Sequence, residues 1–107
     1  MPNNTYYLSG HARSDIAQIR RYTIKKWGDH QWQKYKAALT KKLQSIANNP
    51  EIGVVIDEIS SDAYRFPLKD HIVYYLKRTD SIIFVGVVPT KMAPEKHLAR
   101  IKDLSQE

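Results

Sequence analysis

Seven residues in the second half of the chain carry groups able to hold or cut a polyanion: Arg65, Lys69, His71, Tyr74, Tyr75, Lys91 and His97. Cations beside aromatic rings on a sheet can grip a phosphate backbone and stack a base. Metal-free RNA cleavage would ask more of the same set. It needs a base for the 2′-hydroxyl, a cation for the phosphorane and an acid for the leaving oxygen. In that scheme His71 or a tyrosine moves protons and Arg65 stabilises charge. The plainer reading puts Tyr74 and Tyr75 on opposite faces of one strand, one of them in the core, with His71 satisfying a turn.

A second set is basic and lies earlier. Residues 10–42 hold nine Lys and Arg against only Asp15 and Asp29, whereas residues 43–63 hold Glu51, Asp57, Glu58 and Asp62 with no base. Amphipathic helices ordinarily expose such cations opposite a buried stripe. The functional reading is a docking face formed by Arg13, Arg20, Arg21, Lys34 and Lys41. Nucleic acid, an acidic peptide or a third amphipathic helix would suit it.

Other chemistries lack their residues. The chain has no P-loop, no GxGxxG, no HExxH and no GxSxG. His11, His30, His71 and His97 are too scattered to build a metal site from one helix, so no metal or cofactor is expected. The acids of the 57–62 stretch read as a solvated face. With no cysteine, disulfides and thiolate zinc sites are excluded, which fits a reducing cytosol. A length of 107 residues, 42% of them hydrophobic, predicts one packed domain over residues 1–107. The net charge of +6 attracts nucleic acid, acidic protein or an anionic membrane. Met1 to Thr5 carries no signal-peptide pattern, and the longest apolar run, Ile82 to Val88, is far below the roughly 20 residues of a bilayer span. The expectation is a cytoplasmic protein without a membrane partner.

Positioning these residues requires an ordered set of elements. Thr5 to Ser9 favours extended backbone, and Gly10 ends it with Ser9 free to cap a helix. Ala12, Ile16, Ile19, Thr23 and Trp27 form a stripe over residues 11–27, stopped by Gly28. Asp29 can cap a second helix to about Ala47, with Trp32, Tyr35, Leu39, Leu43 and Ile46 inward. Two such helices make an antiparallel hairpin that needs a sheet to lie on. Tyr64 to Pro67, His71 to Arg78 and Ile82 to Val88 supply strands; the last is apolar on both faces and is therefore expected to be central. Pro94-Glu95 opens a final helix with Leu98, Ile101 and Leu104 inward. The predicted class is α+β, in the order β-α-α-β-β-β-α, with a helical hairpin packed on a mostly antiparallel sheet.

That order, with certain residues in it, resembles the ParE branch of the RelE/ParE toxins of bacterial toxin–antitoxin modules. The likeness runs from about residue 5 to 98. It includes Ala12-Arg13-Ser14-Asp15-Ile16-Ala17-Gln18-Ile19, then Tyr22, then Trp27-Gly28. Pro50-Glu51-Ile52-Gly53 is similar to the family's Pro-x-x-Gly signature, and Tyr64-Arg65-Phe66-Pro67 with His71-Ile72-Val73-Tyr74-Tyr75 looks like its strand pair. Met92, His97 and Leu98 match beyond the last strand, while Lys91 keeps a charge. Pro89 stands where a histidine is common, Ala93 where an aspartate is, and Leu76 where an arginine is.

The resemblance implies a cytoplasmic toxin that inhibits DNA gyrase by binding, without a catalytic residue. It would be neutralised by a cognate antitoxin whose flexible tail folds on it, and would touch DNA at most indirectly. Arg65, His71, Tyr75, Lys91, Met92 and His97 are the expected contacts with target or antitoxin. The alternatives are a RelE-like mRNA endoribonuclease using Arg65, His71, Tyr74 and Tyr75, and an inactive binding member. Pro89 can neither carry a proton nor supply a cation, which takes one candidate from the nuclease.

Overall fold

The computed structural model describes residues 5–90; residues 1–4 and 91–107 fall outside the description. The order is β1 (Thr5–Leu8), α1 (Gly10–Trp27), α2 (Asp29–Asn48), a 3-10 turn (Pro50–Ile52), β2 (Val54–Val55), β3 (Ala63–Leu68), β4 (His71–Lys77) and β5 (Ser81–Pro89). The helical hairpin and all four expected strands are present. The two-residue β2 is an addition, and the expected helix from Pro94 lies beyond the described residues.

Local chemistry explains the helix ends. Ser9 Oγ accepts from Ala12 N–H at 3.1 Å and starts α1. Lys25 and Lys26 in its last turn suit the negative end of the helix dipole. Gly28, at φ 93°, closes α1 through its N–H to the Ile24 carbonyl at 2.9 Å. The same residue also opens α2, its carbonyl accepting from Trp32 N–H at 3.3 Å. Asp29 is therefore not the cap expected of it. It occupies the first helical position, where a carboxylate still favours the dipole.

The sheet runs β1-β5-β4-β3-β2, with β1 parallel to β5 and every other pair antiparallel. β5 is an interior strand next to the middle strand β4, with β1 on its other side as far as Phe84. A bulge shapes it: Tyr74 faces Gly86 and Tyr75 faces Phe84, so Val85 is the extra residue. The bulge reverses the alternation along β5. Ile82, Phe84 and Val87 join the core under the helices, while Val85 and Val88 join the layer on the far face.

Under the helices, Ala12, Ile19, Trp32, Leu39, Leu43 and Ile46 pack on Val73, Tyr75 and Phe84. The far layer contains Ile56, Ala63, Tyr74, Leu76, Val85 and Val88. One stripe assignment fails. Trp27 is 64% exposed, because the last turn of α1 lies at the rim of the packed area.

Candidate functional site

Strand alternation divides the residues that the sequence grouped together. Tyr64, Phe66 and Leu68 of β3 face the helices, so Arg65 projects from the far face, opposite Tyr74 of β4. His71 and Tyr75 face the helices. Arg65 is exposed, and its charge works against the burial that raises the Tyr74 hydroxyl pKa. Tyr75 is fully buried and stacked on Tyr64 with ring centroids 5.4 Å apart; its hydroxyl donates to the Pro50 carbonyl at 2.6 Å. Tyr75 therefore offers no surface to a partner and instead ties β4 to the loop before β2. Arg65, His71, Tyr74 and Tyr75 do not converge, which removes the constellation suggested for RNA cleavage. Lys91, Met92 and His97 lie outside the described residues.

His71 stands at a groove. A cavity of about 940 Å³ opens between α1, the start of α2 and the ends of β4 and β5, with Asp15, Tyr22, Trp27, Tyr35, His71 and Pro89 among its walls. The Tyr35 hydroxyl and His71 Nδ1 are hydrogen-bonded at 3.0 Å. Burial pushes the Tyr35 phenol up to about 12, and the Asp70 carboxylate adds to that. Burial also pulls His71 below the usual imidazole value, against the raising effect of Asp70, so the ring favours its neutral form.

The floor of the groove is a strand edge. β1 ends at Leu8 opposite Phe84, so the same side of β5 has no neighbouring strand from Val85 onward among the described residues. Val87 N–H is met there by Asp15 Oδ2 at 3.0 Å. Two residues on, Pro89 brings no N–H to that side, the position at which a sheet tolerates proline.

Its rim is aromatic. Tyr22 and Trp27 are 60% and 64% exposed, with Lys26 Nζ 5.5 Å from both ring centroids and donating to the Tyr22 hydroxyl at 3.1 Å. Across the groove, Lys69 takes a positive φ of 54° in the two-residue β3–β4 turn, and the Asp70 carbonyl anchors that turn by accepting from Thr90 N–H at 2.8 Å.

Sequence reasoning placed Trp27 in the core and gave Asp15 and Tyr35 no part in a site. Tyr22 had a usable signal, since it falls off the Ala12–Ile19–Thr23 stripe and so had to be exposed. Arg13, Arg20, Arg21, Lys34 and Lys41 are all exposed, as expected of the hairpin surface. Among the described residues, no three His, Asp or Glu side chains gather as metal ligands, and no helix is long and apolar enough to cross a membrane.

Comparison with known proteins gives a family. No curated protein matches the chain. A solved structure described as the chromosomal ParDE toxin–antitoxin system from P. aeruginosa superposes with a TM-score of 0.70 at 9% identity, covering 83% of this chain and 98% of that one. At that identity the likeness speaks for the fold, the α+β architecture described above. Residues 6–94 match the family described as the ParE toxin of type II toxin–antitoxin systems, parDE. That match includes both helices, the sheet from Tyr6 onward and every wall of the groove, and on it the chain belongs to the ParE toxin family.

Proposed function

We propose that this chain poisons DNA gyrase by binding it, and that a cognate antitoxin restrains it by laying a flexible tail into the α1–β5 groove. The observation that supports this best is the groove itself, where two exposed aromatic rings border a strand edge that has no strand beside it among the described residues. Exposed Trp and Tyr beside a cation are the residue types that dominate binding energy. A strand edge suits an extended segment, which here would pair through backbone carbonyls of β5, since Val87 N–H is taken by Asp15 and Pro89 has none. A disordered tail must recover its ordering entropy on binding, and a groove of this size gives it area to bury. The site is cytoplasmic in this reading, where gyrase and DNA are found.

Arg65 and Tyr74 on one face of the sheet and His71 and Tyr75 on the other speak against the nuclease alternative. Purified protein is expected to inhibit gyrase supercoiling or trap cleaved plasmid, and to leave ribosome-bound mRNA intact. Cleavage of mRNA with gyrase unaffected would overturn the proposal. Loss of both activities, with no growth arrest on expression, would mark an inactive binding member.

A further inference from the structure

Among the described residues the hairpin cations have no acidic partners, though Lys26 meets Tyr22 and Trp27 and Lys42 meets Phe66. Among the described residues, the two ion pairs are Lys77 with Glu51 and Arg78 with Asp62, both away from the hairpin. None of the nine Lys and Arg of residues 10–42 forms an ion pair with a carboxylate of the described residues.

Four lysines follow one seam, where α2 runs over β3. Lys34 and Lys69 line a single cleft of about 270 Å³ with Gln31, Tyr35, Ala38 and Leu68. Lys41 lies two helical turns along the same stripe as Lys34, a rise of about 10.5 Å. Lys42 Nζ sits 5.2 Å from the ring centroid of Phe66 on β3. The two-turn step matches about three nucleotides of one strand at roughly 3.4 Å each. Lys69 adds a further sign. A non-glycine residue at positive φ is uncommon, yet a long cation is held there instead of Gly or Asn.

We propose that this seam binds the phosphate backbone of duplex DNA, through Lys34, Lys41, Lys42 and Lys69. Three features favour a duplex over other polyanions. First, the seam has no stacking platform for the bases of a single strand. Tyr35 is half-buried with its hydroxyl on His71, and the Phe66 ring lies under Lys42. Second, the exposed aromatics that would anchor a peptide, Tyr22 and Trp27, line the adjoining α1–β5 groove and not the seam's cleft, although the two share Gln31, Tyr35 and Lys69. Third, the acids flank the seam without entering it: Asp29 lies in the first turn of α2 and Asp70 beside Lys69 at one end, while Asp57 and Glu58 follow the other end and Glu51 is paired with Lys77. Lys34, Lys41 and Lys42 are the run left to face a polyanion. Contacts of this kind position a protein without reading bases, so binding is independent of sequence. The inference does not rest on the gyrase reading: the chain alone carries the surface.

The test is fluorescence anisotropy of the full chain with a labelled duplex of about 24 base pairs across a salt series. Four neutralised phosphates predict a log K against log salt slope near −3.6, or about a 100-fold loss of affinity from about 50 to 200 mM. The pair Lys34→Gln and Lys69→Gln is expected to flatten that slope by about 2, with an unchanged melting temperature. The pair Lys41→Gln and Lys42→Gln provides the same reading if the first pair unfolds. Arg13→Gln with Arg21→Gln removes equal charge from α1 and is expected to leave the slope nearly intact. No binding at low salt would overturn the proposal, as would equal losses from the seam and α1 pairs. Tighter binding of single-stranded RNA or of polyglutamate than of duplex would overturn it too.

Discussion

Tyr75 and the Tyr22–Trp27 pair are aromatic residues of one fold used in opposite ways. Tyr75 sits under the helices, stacked on Tyr64 and tilted against Phe84, with its one polar atom tied to Pro50. Tyr22 and Trp27 lie on the outward flank of α1, and a lysine shields them in place of a core. A ring enclosed on all sides turns its area into stability, whereas a ring left in water holds that area for a partner. Substitutions in the first region should therefore be read by melting temperature, and those in the second by affinity.

The largest expected effect tests the enclosed region. A Cβ on Gly53 would meet the Tyr75 hydroxyl and lie 2.9 Å from the Arg65 carbonyl, and neither can retreat. Gly53→Ala is expected to destabilise by about 2–3 kcal/mol, lowering the melting temperature by roughly 10 °C or more. Gly10→Ala is the matched control. Nothing lies within 4 Å of its added methyl, and the first turn of α1 accepts alanine, so stability should hold or rise slightly. Equal behaviour of the two variants would mean that the loop before β2 yields to Tyr75.

Next comes the exposed region. Trp27→Ala and Tyr22→Ala should each change stability by no more than about 0.5 kcal/mol. Each should weaken antitoxin binding by about 2 kcal/mol, close to 30-fold, in isothermal titration. A melting temperature that falls as in a core variant would erase the distinction between the regions.

A smaller effect isolates the hydroxyl of Tyr75. Tyr75→Phe keeps the stacked ring and leaves the Pro50 carbonyl without its donor. The expected loss is about 1 kcal/mol in denaturant melts, with antitoxin affinity unchanged.

The sequence allowed these regions to be read unequally. Period and punctuation gave the hairpin, the turn at Gly28 and β5 as an interior strand, because burial on a sheet imposes those patterns directly. Faces were harder. Arg65 and His71 were grouped by nearness along the chain, but an antiparallel ladder places them by parity, and parity requires the register of β3 on β4. The Val85 bulge then shifts the parity of β5 in a way no composition reveals. Trp27 misled because a helical stripe shows which flank faces inward but not where the partner surface ends. Tyr35 meets His71 across 36 positions of sequence, a contact that only the packing of α2 on the sheet creates.

That contact supplies the smallest effect and the finest test of the groove. His71 faces Tyr35 from α2 and Asp70 from its own turn, with Asp15 of α1 and Lys69 lining the same cavity. Burial lowers its affinity for a proton and the Asp70 charge raises it, with burial the larger influence. The unfolded chain thus takes up a proton first as pH falls through the ordinary imidazole value of 6.5, and stability declines from there until the folded state protonates as well. Above that value the ring is neutral in both states and the contribution is complete. Tyr35 has the mirror-image dependence: its phenol, raised to about 12, ionises later than in the unfolded chain, so stability declines as pH climbs past 10. His71→Gln should flatten the acid decline and Tyr35→Phe the alkaline one, each followed by urea melts across pH. Had the imidazolium been the favoured form in the fold, stability would instead grow on acidification. The opposing pulls of burial and Asp70 keep the acid decline shallow, and only the parent-minus-variant difference resolves it from the rest of the titration.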